Sequence, residues 1–100
     1  MLGRRRFGSI VDAQLDLFER EHGHLIAEAA ESLDTYNRSG RDEAESRYGD
    51  YVDAVAAARE QLADMRDHYA STLDDDEPYV RAFDRAVKRR FPRFAFEREL

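Results

Sequence analysis

Residues 37–42 read "NRSGRD", a polar stretch that separates two long segments with helical periodicity. Gly40 can adopt the left-handed conformation that often ends a helix, and Asp42 places a negative charge where the next helix would begin. The stretch therefore predicts a short turn between two helices. Since helices joined by a short connection pack side by side, we expect an antiparallel hairpin.

On both sides of this turn, apolar residues recur at alternating steps of four and three, which is the heptad pattern of a coiled coil. The positions with this spacing, of which only His22 and Ser32 are polar, are Val11, Leu15, Phe18, His22, Leu25, Ala29, Ser32, Tyr36, Ala44, Tyr48, Tyr51, Val55, Ala58, Leu62, Met65 and Tyr69. They predict helices over about residues 9–38 and 42–73. A register that pairs Leu25 with Val55 sets His22 opposite Ala58 and several other rings opposite Ala or Ser, which keeps the packed volume even.

The residues with this heptad spacing form the seam between the two helices. A second set of residues flanks the seam, and its members directly follow every second seam residue. It consists of Asp12, Glu19, Ile26, Leu33, Glu45, Val52, Arg59 and Arg66. We expect the charged members to form two ion pairs, Asp12 with Arg66 and Glu19 with Arg59, and Ile26 to meet Val52. Exposed ion pairs contribute only about 0.2 to 1 kcal/mol each, so these pairs would select the register more than they stabilise the hairpin.

Residues 74–92 read "DDDEPYVRAFDRAVKRRFP" and carry the signals of a third helix over residues 77–90. A carboxylate among Asp74–Asp76 can cap the helix, Pro78 suits its first turn, and Lys88–Arg90 favour its last turn. The residues expected to face the hairpin are Val80, Phe83 and Val87. At about 1.5 Å per residue, this helix would span about half of each hairpin helix.

The third helix is thus too short to cover the whole hairpin. Lying against the open end, it would leave Ile26, Leu33 and Val52, near the turn, uncovered. The predicted fold is all-α: one domain over residues 1–100, with a basic arm at residues 1–8, a long antiparallel hairpin, a shorter third helix and an extended tail. A hairpin that buries so little favours dimerisation into a bundle.

The tail, residues 91–100, is rich in phenylalanine, with Phe91, Phe94 and Phe96. Either it lies extended along the uncovered gap or a second copy of the protein fills that gap. We therefore expect the protein to act by self-association, as a homodimer, and by binding a protein partner. The residues expected to make these contacts are Ile26, Leu33, Val52, Phe91, Phe94 and Phe96.

Charge is distributed unevenly along the chain. The net charge is −6, but residues 1–8 carry +3, residues 9–80 carry −13 and residues 81–100 carry +4. Basic ends that neutralise an acidic middle are the favoured interpretation; binding of nucleic acid or a membrane surface by these ends is the alternative. The residues of that alternative are Arg4, Arg5, Arg6, Arg89, Arg90 and Arg93.

The sequence offers little for catalysis. Cysteine is absent, which excludes disulfides, thiolate metal sites and a cysteine nucleophile. No stretch is apolar enough to span a membrane and no signal peptide is evident, so a cytoplasmic protein is expected. No phosphate-binding loop or triad can be argued from spacing. The sequence therefore favours a non-enzymatic protein, and no cofactor is predicted.

Glu19 and His22 are the best candidate for a metal site. Their Glu-x-x-His spacing is the one that helical di-iron proteins use. The chain contains no second such spacing, Glu19 is expected to pair with Arg59, and His22 is expected to fill the space opposite Ala58. A structural histidine is thus the favoured interpretation, and a small carboxylate–histidine metal-binding bundle is the alternative.

Overall fold

The computed structural model describes residues 6–96. Three α-helices, α1 (Gly8–Asn37), α2 (Arg41–Ala70) and α3 (Glu77–Arg90), are followed by a short 3-10 turn at Pro92–Phe94. Helices α1 and α2 pack together as a hairpin, and α3 packs against both. The predicted all-α architecture, a long hairpin with a shorter third helix, is confirmed.

The hairpin turn forms at the predicted place but not by the predicted means. Gly40 has φ −84° and ψ 175°, an extended conformation, so the expected left-handed residue is wrong. Helix α1 instead ends through Arg38, whose backbone N–H reaches the carbonyls of Asp34 and Thr35, and through Ser39, whose hydroxyl donates to the Tyr36 carbonyl at 2.7 Å. Because these bonds satisfy the carbonyls of Asp34, Thr35 and Tyr36, the end of α1 forms without a glycine cap.

Helix α2 ends at Ala70, three residues before the predicted end at residue 73. Beyond it, the hydroxyls of Ser71 and Thr72 donate to the carbonyls of His68 and Tyr69, both at 2.7 Å. Such local side-chain bonds compete with helix continuation. The chain therefore leaves the helix after Ala70 and continues as the acidic linker that leads to α3.

Helix α3 closes the open end of the hairpin. Its buried face consists of Tyr79, Phe83, Ala86 and Val87. The Tyr79 ring lies between Tyr69 of α2 (centroids 4.8 Å apart) and Phe7 before α1 (5.6 Å). These contacts join the three helices into one core at this end.

The tail folds back on the same core. The 3-10 turn brings Phe91 and Phe94 to Phe18 of α1, with ring centroids 5.5 and 6.5 Å apart, and Phe94 retains only 2% exposure. Ala95 then resumes an extended conformation, with φ −58° and ψ 142°. Within residues 6–96, no helix has the length and apolar character needed to span a membrane.

Candidate association surface

The apolar side chains in the part of the hairpin nearest the turn are incompletely buried. Between Ile26 and Asp53, Ala29 is the sole buried residue, whereas the opposite end contains the rest of the core. Ile26 and Leu33 are half-buried, and Val52 is 45% exposed. We call Ile26, Leu33 and Val52 the distal patch.

The distal patch is uncovered because α3 stops short of it. At the last residue of α3, the Arg90 guanidinium donates to Asp16 at 2.6 Å and to Glu19 at 2.7 Å, both on α1. Glu19 lies seven residues before Ile26, about 10.5 Å along the helix. The hydrogen bond to Asp16, foremost, and the one to Glu19 raise the pKa of Arg90, so the guanidinium stays charged while it holds the end of α3 in place.

The two predicted ion pairs across the flank are wrong, since α3 supplies other partners. Glu19 binds Arg90 rather than Arg59. Arg66 donates to Asp84 of α3 at 2.9 Å and to its neighbour Asp67 at 2.8 Å rather than to Asp12. Burial lowers the pKa of Arg66, but the hydrogen bonds to the two carboxylates outweigh it, and the net direction is upward.

Arg59, the predicted partner of Glu19, has an unsatisfied hydrogen-bond donor. Its Nε is the one buried side-chain polar atom within residues 6–96 that has no hydrogen-bond partner. An unsatisfied buried donor costs about 1 to 3 kcal/mol. The same side chain lines an open cleft of about 600 Å³ on the outer side of α2, which also touches Asp53, Ala56 and Phe96.

The three tail phenylalanines occupy different places. Phe91 and Phe94 are buried inside the chain's own core, as described above. Phe96 is half-buried, and the Arg66 guanidinium lies 4.6 Å from its ring centroid, within the range of a cation–π contact. Of the three rings, Phe96 is therefore the one that a partner could touch without opening the core.

Glu19 and His22 do not come together with further ligands. Within the described residues, no group of three or more His, Asp or Glu side chains is placed to hold a metal ion. His22 is half-buried, with its ring 5.9 Å from that of Phe18. Its φ of −125° and ψ of 26° mark a kink in α1, and the next residue, Gly23, is of the type that permits such a kink.

The predicted basic residues are divided among different environments. Arg4 and Arg5 lie outside the described residues. Arg6, Arg89 and Arg93 are exposed, and the Arg6 guanidinium lies 5.1 Å from the ring centroid of Phe7. Arg90 is neutralised by Asp16 and Glu19, which is the folding back of a basic end onto the acidic middle that the charge distribution favours.

The exposure of one aromatic residue, Tyr48, was not predicted from the sequence. Tyr48 belongs to the heptad seam, yet it is 49% exposed, with its ring 5.2 Å from that of Tyr36 and 6.1 Å from that of Tyr51. Its position, next to the turn and one turn from Val52, is the available signal, because seam residues at the end of a hairpin have neighbours on one side only. Tyr48 therefore extends the exposed apolar area around the distal patch.

The chemistry of this surface has to be interpreted from its own residues. No family model, curated protein or solved structure matches the chain. The surface combines exposed Val52 and Tyr48 with half-buried aliphatic side chains and a nearby arginine with an unsatisfied donor. Exposed apolar groups next to polar ones are typical of protein association surfaces.

Proposed function

We propose that the protein is a non-enzymatic helical module that self-associates through the distal patch. The observation that carries this proposal is the exposure of Val52 in a half of the hairpin that α3 and the described part of the tail, which ends at Phe96, do not cover. A helix pair gains most of its stability from burying its apolar faces, so a second copy would supply what the chain itself lacks. Phe96, at the edge of the adjoining cleft, is the tail residue available for the same contact.

The size and shape of the molecule support association. The chain exposes 7205 Å², whereas a compact monomer of this mass would expose about 5,800 Å². Its radius of gyration is 15.7 Å, against about 13 Å for a compact chain of this length. A standard interface buries about 800 Å² per partner, which is within the excess.

The test is the oligomeric state of the full chain, measured by sedimentation equilibrium over micromolar concentrations. We expect a dimer for the native sequence and a monomer for Val52→Glu, because a charge at the centre of the patch would be buried without a partner. Ala27→Glu, at an exposed helical position outside the patch, is the control and should leave the dimer intact. A native protein that stays monomeric throughout would refute the proposal.

A further inference from the structure

The flank of α2 has a symmetry that bears on how a second copy would dock. Glu45, Val52 and Arg59 are spaced by seven residues, so they lie on one face of α2, about 10.5 Å apart along its axis. The negative residue lies towards the turn and the positive residue lies towards the core. Val52 is therefore midway between two opposite charges.

We propose that two copies of the chain pack α2 against α2 in an antiparallel dimer, with a two-fold axis at Val52, and that Glu45 of each copy pairs with Arg59 of the other. This rests on the proposed self-association and specifies its geometry. In a parallel arrangement each charge would face its own like, whereas the antiparallel arrangement about Val52 places opposite charges together at both ends. A two-fold contact of this kind is closed, because the same surface is used by both copies.

Two charged residues of the single chain are suited to this docking. Arg59 lines the open cleft beside α2 and takes part in none of the ion pairs found within residues 6–96. Glu45 is exposed. A carboxylate from a second copy would therefore meet an arginine whose hydrogen-bonding capacity the chain leaves partly unused, and a charged partner gives a stronger bond than a neutral one.

Small residues on either side of Val52 would let the two helices approach closely. Gly49 and Ala56 lie three residues before and four residues after Val52, and both are exposed. Gly49 has a helical conformation, and a Cβ added to it would meet nothing within 4 Å, so neither backbone strain nor packing inside the chain requires glycine there. About a two-fold axis at Val52, Ala56 of one copy lies opposite Tyr48 of the other, and Gly49 lies opposite Val55.

The charge pairing is tested by mixing two charge-reversal variants of the full chain, Glu45→Arg and Arg59→Glu. Alone, each variant would place like charges at both ends of the interface, and we expect its dimer dissociation constant to rise by tenfold or more. Mixed in equal amounts, they would form a heterodimer in which both ends carry opposite charges again. We expect the mixture to dimerise with near-native affinity, measured by sedimentation velocity with one variant labelled.

Two kinds of control are needed, because a variant could also weaken the dimer by misfolding or by a general effect of the changed charge. Helicity by circular dichroism confirms that each variant is folded. If Arg59→Glu is not, Arg59→Gln takes its place; it should weaken the dimer and recover only part of the affinity on mixing with Glu45→Arg, because one end of the heterodimer regains its ion pair. Asp64→Arg, at an exposed position of α2, should leave the dimer unchanged. Variants that dimerise alone as tightly as the native chain would overturn the antiparallel pairing, while monomerisation by Val52→Glu would still uphold the proposed function.

Discussion

Tyr79 is the residue on which the closed end of the molecule depends. It is fully buried, with its ring against Tyr69 and Phe7, and its hydroxyl donates to Gln14 Oε1 at 2.8 Å. Burial raises the pKa of Tyr79 to about 12, because the phenolate would lose its hydration, and the hydrogen bond to Gln14 only partly offsets this. Burial in the core therefore favours the neutral hydroxyl of Tyr79 over the phenolate.

This environment predicts a loss of stability at alkaline pH. The pKa of Tyr79 is about 12 in the folded chain, whereas an unfolded tyrosine has a pKa of about 10. A raised pKa stabilises the fold fully below pH 10 and progressively less as the pH rises towards 12. Over this interval the native protein should lose about 2 kcal/mol of its unfolding free energy through Tyr79, since one pKa unit corresponds to about 1.4 kcal/mol. We expect this part of the loss to be absent in Tyr79→Phe.

The measurement is urea unfolding at pH 8, 10 and 11.5, followed by circular dichroism. Tyr48→Phe, at an exposed ring, is the matched control and should keep the native pH dependence. Identical alkaline profiles for the native chain and Tyr79→Phe would mean that Tyr79 does not contribute to alkaline unfolding.

Residue-level predictions from the sequence succeed where one helix or one helix pair decides the outcome. Phe83 and Val87 are buried as the spacing of the third helix predicts. Tyr79 was not predicted to be buried, although it lies four residues before Phe83, because the depth of a helix end depends on what packs there. The partner of Glu19 could not be predicted from the hairpin alone, since Arg90 reaches it from a third element.

At the scale of elements, the contact between Arg66 of α2 and Asp84 of α3 fixes how α3 lies on the hairpin. The two side chains are only 16% and 13% exposed, unlike the other ion pairs of the described chain, in which at least one side chain is largely exposed. Hydrogen bonds between charged groups that are shielded from water contribute more than exposed ones. Arg66 also lies against Phe96, so one side chain joins α2, α3 and the tail.

We therefore expect Asp84→Asn to lower the free energy of unfolding by about 1.5 to 3 kcal/mol, the usual cost of losing a hydrogen bond between charged groups. Asp34→Asn is the control, because it removes the exposed pair between Asp34 and Arg38, which is worth about 0.5 kcal/mol or less. Both values come from urea unfolding at pH 7. Equal losses for the two variants would show that the Arg66–Asp84 contact does not anchor α3.

The helices and the hairpin of α1 and α2 were predictable from the sequence, whereas the docking of α3 was not. Heptad spacing and the "NRSGRD" turn suffice for the hairpin because both are local signals that point to the same structure. The crossing of α3 is decided by contacts between residues far apart in the chain, such as Tyr79 with Gln14 and Arg90 with Asp16. No periodicity encodes such pairs, which is why the charged flank was assigned the wrong partners.

At the scale of the whole molecule, the chain has two unequal halves. The end that contains α3 and the tail has a core with many aromatic rings, such as Phe18, Tyr79 and Phe94. The end near the turn has two helices and a single buried alanine, Ala29, between Ile26 and Asp53. Local unfolding starts where few apolar contacts are buried, so the two halves should differ in stability as long as the protein is monomeric.

Amide hydrogen exchange tests this difference and links it to association. In dilute solution, we expect amides of residues 26–36 and 44–52 to exchange faster than those of residues 11–18 and 58–65, because the former open without disrupting the core. At high concentration, the first two segments should gain protection if a second copy covers the distal patch, since binding to the folded form suppresses opening. Val52→Glu should abolish this gain and leave the dilute pattern unchanged. Uniform protection at every concentration would contradict both the two-part stability and the role of the patch.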